Sequence, residues 1–130
     1  MNVEILALCD AANDSHGKLN ILGAFDSLWA RTAPAVHPAC AVAVRIRFSE
    51  LEQGEHKVAI HLIDDDGVMV LPPIEGAIQI TLNAGDVSAV ANLILNLQSI
   101  KLEHYGEYFV NLMIDGEEAA SLPLLLRQAK

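Results

Sequence analysis

Apolar and polar residues alternate along most of this chain, with a period of two. Tyr108, Val110, Leu112 and Ile114 fall on one side of an extended segment, and Leu122, Leu124 and Leu126 do so on the return. Successive side chains of a strand point to opposite faces, so each set lines one face. Asp115-Gly116 between them is the residue pair that a tight two-residue reversal favours. The same period recurs upstream. Cys40, Val42, Val44, Ile46 and Phe48 alternate with Ala41, Ala43, Arg45 and Arg47, the cleanest half-buried strand in the chain. Val58, Ile60 and Leu62 form the inward set of a further strand, with Lys57 and His61 facing out. Ile74, Gly76, Ile78, Ile80 and Leu82 do so for another, and Ala91, Leu93, Leu95 and Leu97 for one more. The apolar density from Val87 to Leu97 also fits a helix, but Asn92 and Asn96 are poor choices for a helix interior, so a strand is preferred.

The remaining segments are punctuated by turn chemistry. Val3 to Ala11 is apolar on both faces, as in a strand covered on both sides. Asn13 to Gly17 supplies a reversal into Lys18 to Trp29, where Gly23 marks a bulge or a close backbone approach. Pro34 and Pro38 lack an amide donor and predict a loop or a strand entry rather than a central strand. Asp64-Asp65-Asp66-Gly67 turns the chain into Val68 to Leu71, a second hairpin that Pro72-Pro73 breaks, and Ser99 to Tyr105 reads as a connector. The sum is seven to nine short strands and no helix longer than two turns. That predicts an all-β, two-layer antiparallel β-sandwich, immunoglobulin-like or C2-like, with residues 1–130 as one domain.

Composition narrows the function classes. Hydrophobic residues make up 52% of the chain and charged residues 19%, which argues against disorder and leaves less polar surface than a monomer usually shows. The net charge is −9, from 17 acidic and 8 basic side chains. A chain of that sign repels phosphate, and no basic run offsets it, so neither nucleic acid nor an anionic membrane surface is an expected partner. Arg45 and Arg47 read as outward neighbours on one strand that pair with acids. Met1 to Glu4 is acidic where a secretory signal would be basic, and no apolar run approaches a membrane span. Cys9 and Cys40 match no metal or redox spacing and read as buried, reduced thiols. The expected setting is the cytoplasm.

Few residues carry recognisable chemistry. His16, His37, His56, His61 and His104 contain one close pair, and an odd separation on a strand puts His56 and His61 on opposite faces; no metal or cofactor is expected. Asp64 to Asp66 with Gly67 resembles a calcium loop but lacks acids at the required offsets and reads as a solvated turn; the alternative is a site that pools acids from distant loops, with Asp14, Glu103 or Glu117 assisting. No nucleophile elbow, zinc-protease helix or phosphate loop is present. Asp10, Asn13, His16, Lys18 and Asp26, with Asn20, form a polar series that satisfies turns and strand ends or, alternatively, lines a small-ligand site where loops collect. Leu6, Leu8, Phe109 and Met113 are the candidate interface residues, on sheet faces opposite the presumed core, and Trp29 is a further exposed candidate.

Ala7-Leu8-Cys9-Asp10-Ala11-Ala12, then Gly17 to Ala24, then Pro34-Ala35-Val36-His37-Pro38 resemble an uncharacterised family of small bacterial proteins, a domain of unknown function. The resemblance continues through Gly54 to Gly67 and into the Asp115-Gly116 hairpin. It implies no activity, ligand or site residue. The terminal hairpin is also similar to the last strand pair of immunoglobulin-like modules, which bears on fold only. The expected function is therefore a non-enzymatic module that binds a protein partner or itself, a dimer first, through an apolar sheet face or an edge strand. The alternative is a small-ligand or carbohydrate-binding sandwich, which an aromatic content of 5% disfavours. An enzyme of unknown class is the least favoured reading.

Overall fold

The period-two sets meet across one interior. A computed structural model describes residues 1–130. It has nine strands: β1 (Asn2–Ser15), β2 (Lys18–Ala24), β3 (Ser27–Ala30), β4 (Ala35–Ser49), β5 (Gly54–Asp64), β6 (Ile74–Ile80), β7 (Ser88–Leu102), β8 (Gly106–Ile114) and β9 (Glu117–Gln128). The one helical element is a single 3-10 turn, Glu50–Glu52. A four-stranded sheet in the order β2-β1-β4-β7 packs on a five-stranded sheet in the order β3-β9-β8-β5-β6. The chain is an all-β sandwich.

The core is the set that alternation marks. Val42, Val44, Ile46 and Phe48 of β4 meet Val58, Ile60 and Leu62 of β5 and Tyr108, Val110, Leu112 and Ile114 of β8, all buried in one cluster. Burying such side chains is the main stabilising force of a sandwich this size. Asp115 and Gly116 close the β8–β9 hairpin with positive φ values of 52° and 85°, the pattern of a primed turn that matches strand twist. Tyr108 lies near the start of β8. Its hydroxyl donates to the His104 carbonyl at 2.7 Å and accepts from the His104 amide at 3.2 Å. The geometry is that of the tyrosine corner of Greek-key sandwiches.

Several local expectations change. The sheets are not wholly antiparallel, because β3 runs parallel to β9, with Ser27 opposite Leu125 and Trp29 opposite Arg127. Lys18 to Trp29 is two strands rather than one. At Phe25-Asp26 the chain leaves the four-stranded sheet, its last tie there being Phe25 N–H to Leu8 O, and joins the other through Leu125 N–H to Asp26 O. Pro38 lies in the first residues of β4, the strand entry rather than the loop of the two readings. It is tolerated because β1 pairs with β4 only from Ala41 to Arg47, so that stretch has one free side. Opposite Pro38, Ser99 has φ 51°, and this kink turns Ile100 and Leu102 toward the core, so the strand continues through the expected connector. Val68 to Leu71 makes a bridge, Met69 to Ile63, rather than a strand.

β1 has a bend that alternation does not reveal. It pairs with β4 from Asn2 to Cys9 and with β2 from Cys9 to Ser15. At the bend Asp10 lies against Gly23, whose φ is +69°; a Cβ there would sit 2.5 Å from Asp10 Oδ2. The far end of the β1–β2 hairpin leans over the outer face of the four-stranded sheet. Ala12, Leu19 and Ile21 pack with Ile94 on Cys9, Ala41 and Ala43, a small second core. Asn92 of β7 donates to Gly17 O at 3.1 Å and ties the hairpin tip down.

Candidate functional site

The hairpin that carries the polar series spreads those residues out. Asp10 sits at the bend, while Lys18 lies opposite Ser15 near the tip. Five residues of strand separate these levels, roughly 17 Å. Asn13 accepts from Asn20 Nδ2 at 2.9 Å across the hairpin. His16 is an exposed turn residue with φ 52°. Asp26 lies on the crossover to β3 and accepts from the Ser27 hydroxyl at 3.1 Å. Asn13 and Asn20 are brought together; Asp10, Lys18 and Asp26 are not. The open hollow at this hairpin, about 340 Å³, is lined by Ala11, Ala12, Asn13, Asn20, Ile21 and Leu22, and reaches none of the others.

Two proposed interface residues change place. Leu8 is buried in the core between the sheets, and Leu6 packs against that core. They belong to the four-stranded sheet, whereas Phe109 and Met113 lie on the outer face of the five-stranded sheet, so the four residues form no common patch. The reason is that β1 is apolar on both faces, and alternation alone does not say which face meets the other sheet.

The outer face of the five-stranded sheet is organised in rows by its register. Met69 bridges Ile63, Ile63 lies opposite Phe109, and Phe109 lies opposite Pro123. These four apolar residues form a belt across the sheet, with Leu125 one level on. Trp29, 65% exposed, stands at the β3 edge with the Arg127 guanidinium 5.6 Å from its ring centroid. Arg127 Nε donates to the Ser27 hydroxyl at 3.1 Å, which fixes that stack. On the other side of the belt, His61, Asn111 and Ser121 make a polar row, and Ser121 donates to Asn111 Oδ1 at 2.7 Å. Beyond it opens a groove of about 650 Å³. It is lined by the small residues Ala59, Gly76 and Ala77, by Met113, and by the polar Glu55, Lys57, His61 and Glu75.

Ionic groups elsewhere serve the fold. Glu4 is the extra residue of a β-bulge in β1, between Val3 and Ile5. The bulge aims its carboxylate at two guanidiniums, 2.9 Å from Arg45 Nε and 2.7 Å from Arg47 Nε. Arg47 beside it holds the Glu4 carboxyl below its usual range. His56 stacks on Phe48 at 4.7 Å, with Nε2 2.6 Å from Glu52 O and Nδ1 2.7 Å from Asp115 Oδ2. Two acceptors favour the form with two N–H donors. The His56 pKa is accordingly raised, first by the Glu52 carbonyl and then by Asp115, and that of Asp115 is lowered, chiefly by His56.

The thiols and the acidic turn complete the inventory. Cys9 faces the hairpin and Cys40 the main core, both free and buried; burial pushes Cys40 up to about 11 and raises Cys9 as well. Buried thiols of that kind are poor nucleophiles. Asp64 Oδ1 accepts from the amides of Asp66 and Val68, both at 2.9 Å, and so builds the turn. His104, from a distant loop, brings its Nε2 to 3.9 Å from Asp64 Oδ2. The ligand atoms of Asp64, Asp65 and His104 lie within 4.8 Å of one another, a meeting that sequence spacing hides. Three donors are fewer than the four protein ligands of a structural zinc site and the six to eight oxygens of calcium, and equal in number to the protein ligands of an open zinc site. No helix is long and apolar enough to cross a membrane.

No curated protein matches the chain. Its sequence matches a family described as "Family of unknown function (DUF6941)" over residues 4–127. That span takes in every strand but the first residues of β1 and the last of β9. The chain belongs to this family.

Proposed function

We propose that this domain is a non-enzymatic protein-interaction module that docks a partner on the outer face of its five-stranded sheet. The observation that carries the reading is the belt Met69–Ile63–Phe109–Pro123, an apolar row across neighbouring strands that is exposed at Met69 and Pro123 and half-buried at Ile63 and Phe109. Apolar centres ringed by polar groups are what protein partners bury, and the His61–Asn111–Ser121 row and the Trp29–Arg127 stack frame this one. Aromatic and Arg residues at such positions are common anchors. The scattered polar series and the inert thiols favour docking over catalysis.

The strand order supports an immunoglobulin-like arrangement rather than a C2-like one. On that reading β1, β4 and β7 would correspond to strands A, B and E, and β9, β8, β5 and β6 to G, F, C and C′. The two free thiols, on opposite faces of their sheet, support a cytoplasmic setting.

The test is a double substitution, Phe109→Ser with Met113→Ser, on side chains outside the core. Its circular dichroism and melting temperature should match those of the unaltered chain to within a few degrees. Capture from a lysate of the source organism, quantified by mass spectrometry, should then enrich a protein with the unaltered chain and lose it with the variant. Equal recovery by both would overturn the reading.

A further inference from the structure

We infer that two copies of this chain pair antiparallel through the free edges of β7, joining their four-stranded sheets into one of eight strands. The belt described above is a different surface, so either inference can fail alone.

The argument begins with the four sheet edges. β2 has seven residues and is bent at Gly23. β3 has four residues. β6 has seven, enters from Pro72-Pro73 and carries Glu75 and Gly76. Short length, proline, charge and bends are the usual means of keeping an edge from pairing with another chain. β7 has none of them over most of its length. It has fifteen residues, and from Ser88 to Ile100 none is charged and none is proline. It pairs with β4 alone, from Ser49↔Ser88 to Ala35↔Leu102, and no other segment makes backbone hydrogen bonds to it. The β1–β2 hairpin lies over the outer face of β7, through the Asn92 side chain and the small core around Ile94, and makes no backbone hydrogen bond to its edge.

The second observation is in the order of the residues. Asn92-Leu93-Ile94-Leu95-Asn96 reads the same in both directions about Ile94. A two-fold axis through an antiparallel pair matches each residue with its mirror position in sequence. Centred on Ile94, the pairing sets Ile94 against its own copy, Leu93 against Leu95, and Asn92 against Asn96. Leu93 and Leu95 face the interior and pack on the core, yet stay half-buried because β7 has no neighbour on that side. The second copy covers them. On the opposite face, Asn96 is exposed and meets the amide of Asn92. The pairing runs from Ala89 to the kink at Ser99 and forms about ten hydrogen bonds between chains. Each copy carries a net charge of −9, but no charged side chain lies within the paired stretch.

Sedimentation equilibrium over micromolar concentrations should give twice the chain mass of 14.0 kDa. Asn96→Lys places a charge on the exposed face of the edge and should weaken the dimer by about tenfold or more with an unchanged circular dichroism spectrum. Ile94→Cys should form a disulfide-linked dimer on mild oxidation, because opposed Cβ atoms lie ~5 Å apart in such pairs. Gln98→Cys, although more exposed, should not, since it faces Val90 of the other copy. A monomer throughout the range overturns the inference, as does equal cross-linking at positions 94 and 98. If Ile94→Cys disturbs the small core beneath the hairpin, the Asn96→Lys mass decides alone. A dimer that survives Asn96→Lys but dissociates with Phe109→Ser and Met113→Ser moves self-association to the belt. That outcome overturns the edge pairing and leaves the domain an interaction module.

Discussion

Gly23 shows how one residue directs a larger element. Its positive φ and the Asp10 carboxylate packed against it create the bend that swings the β1–β2 hairpin over the sheet. Gly23→Ala is expected to cost on the order of 1–3 kcal/mol in chemical denaturation, from the strained φ and the clash together. Adding Asp10→Gly should return the clash portion only; full recovery would show that the backbone is not strained. His56 is a second such residue. Its folded-state pKa lies above the ordinary 6.5, so its stabilisation is complete below that value and is lost as pH rises through the raised one. Asp115 has the opposite sign: its contribution is present above 3.8 and is lost as pH falls through its lowered value. Melting temperatures should therefore be highest between these limits, and His56→Gln should flatten the decline on the alkaline side. An unchanged slope in that variant would assign the decline to other groups.

At the scale of elements, turns and registers were legible to different degrees. The Asp115-Gly116 hairpin follows from residue type, because few other pairs accept two positive φ values in succession. Tyr108 does more than the alternation indicates. Its ring fills the core while its hydroxyl holds the loop before β8. Tyr108→Phe keeps the ring and removes the bond, and should destabilise by about 1–2 kcal/mol as measured in urea. Its effect should be larger on the unfolding rate than on the folding rate if the corner closes late. The long strands were harder to bound. Pro38 and the Val68–Leu71 return depend on which side of a strand is already paired, and that is decided by distant residues. The same holds for the split of Lys18 to Trp29 between two sheets.

For the whole molecule, the order of strands dictates how it folds. β1 pairs with β4, β3 with β9, β4 with β7 and β5 with β8, so four of the seven ladders join strands that are not neighbours in sequence. Sandwiches dominated by non-local pairs fold in milliseconds to seconds, and stopped-flow refolding should fall in that range; a microsecond phase that accounts for the full amplitude would contradict the topology. The net charge acts at this scale as well. Two copies at −9 repel at a distance, so the dimer should tighten as salt rises toward the physiological range.

Local pattern alone reveals most of the strands, the core-facing sets and the tight hairpin, because a period of two and a pair of turn residues are local properties of the backbone. It also determined that Arg45 and Arg47 face outward, where Glu4 meets both. The tertiary structure decided which face of β1 is interior, and so removed Leu6 and Leu8 from the outer surface. It decided that the polar series does not converge, that His104 reaches the Asp64 turn, and that Met69, Ile63, Phe109 and Pro123 align in one row. Each of these depends on register between segments far apart in the chain. A one-residue shift of register would exchange every inward and outward side chain, and no local pattern records the choice.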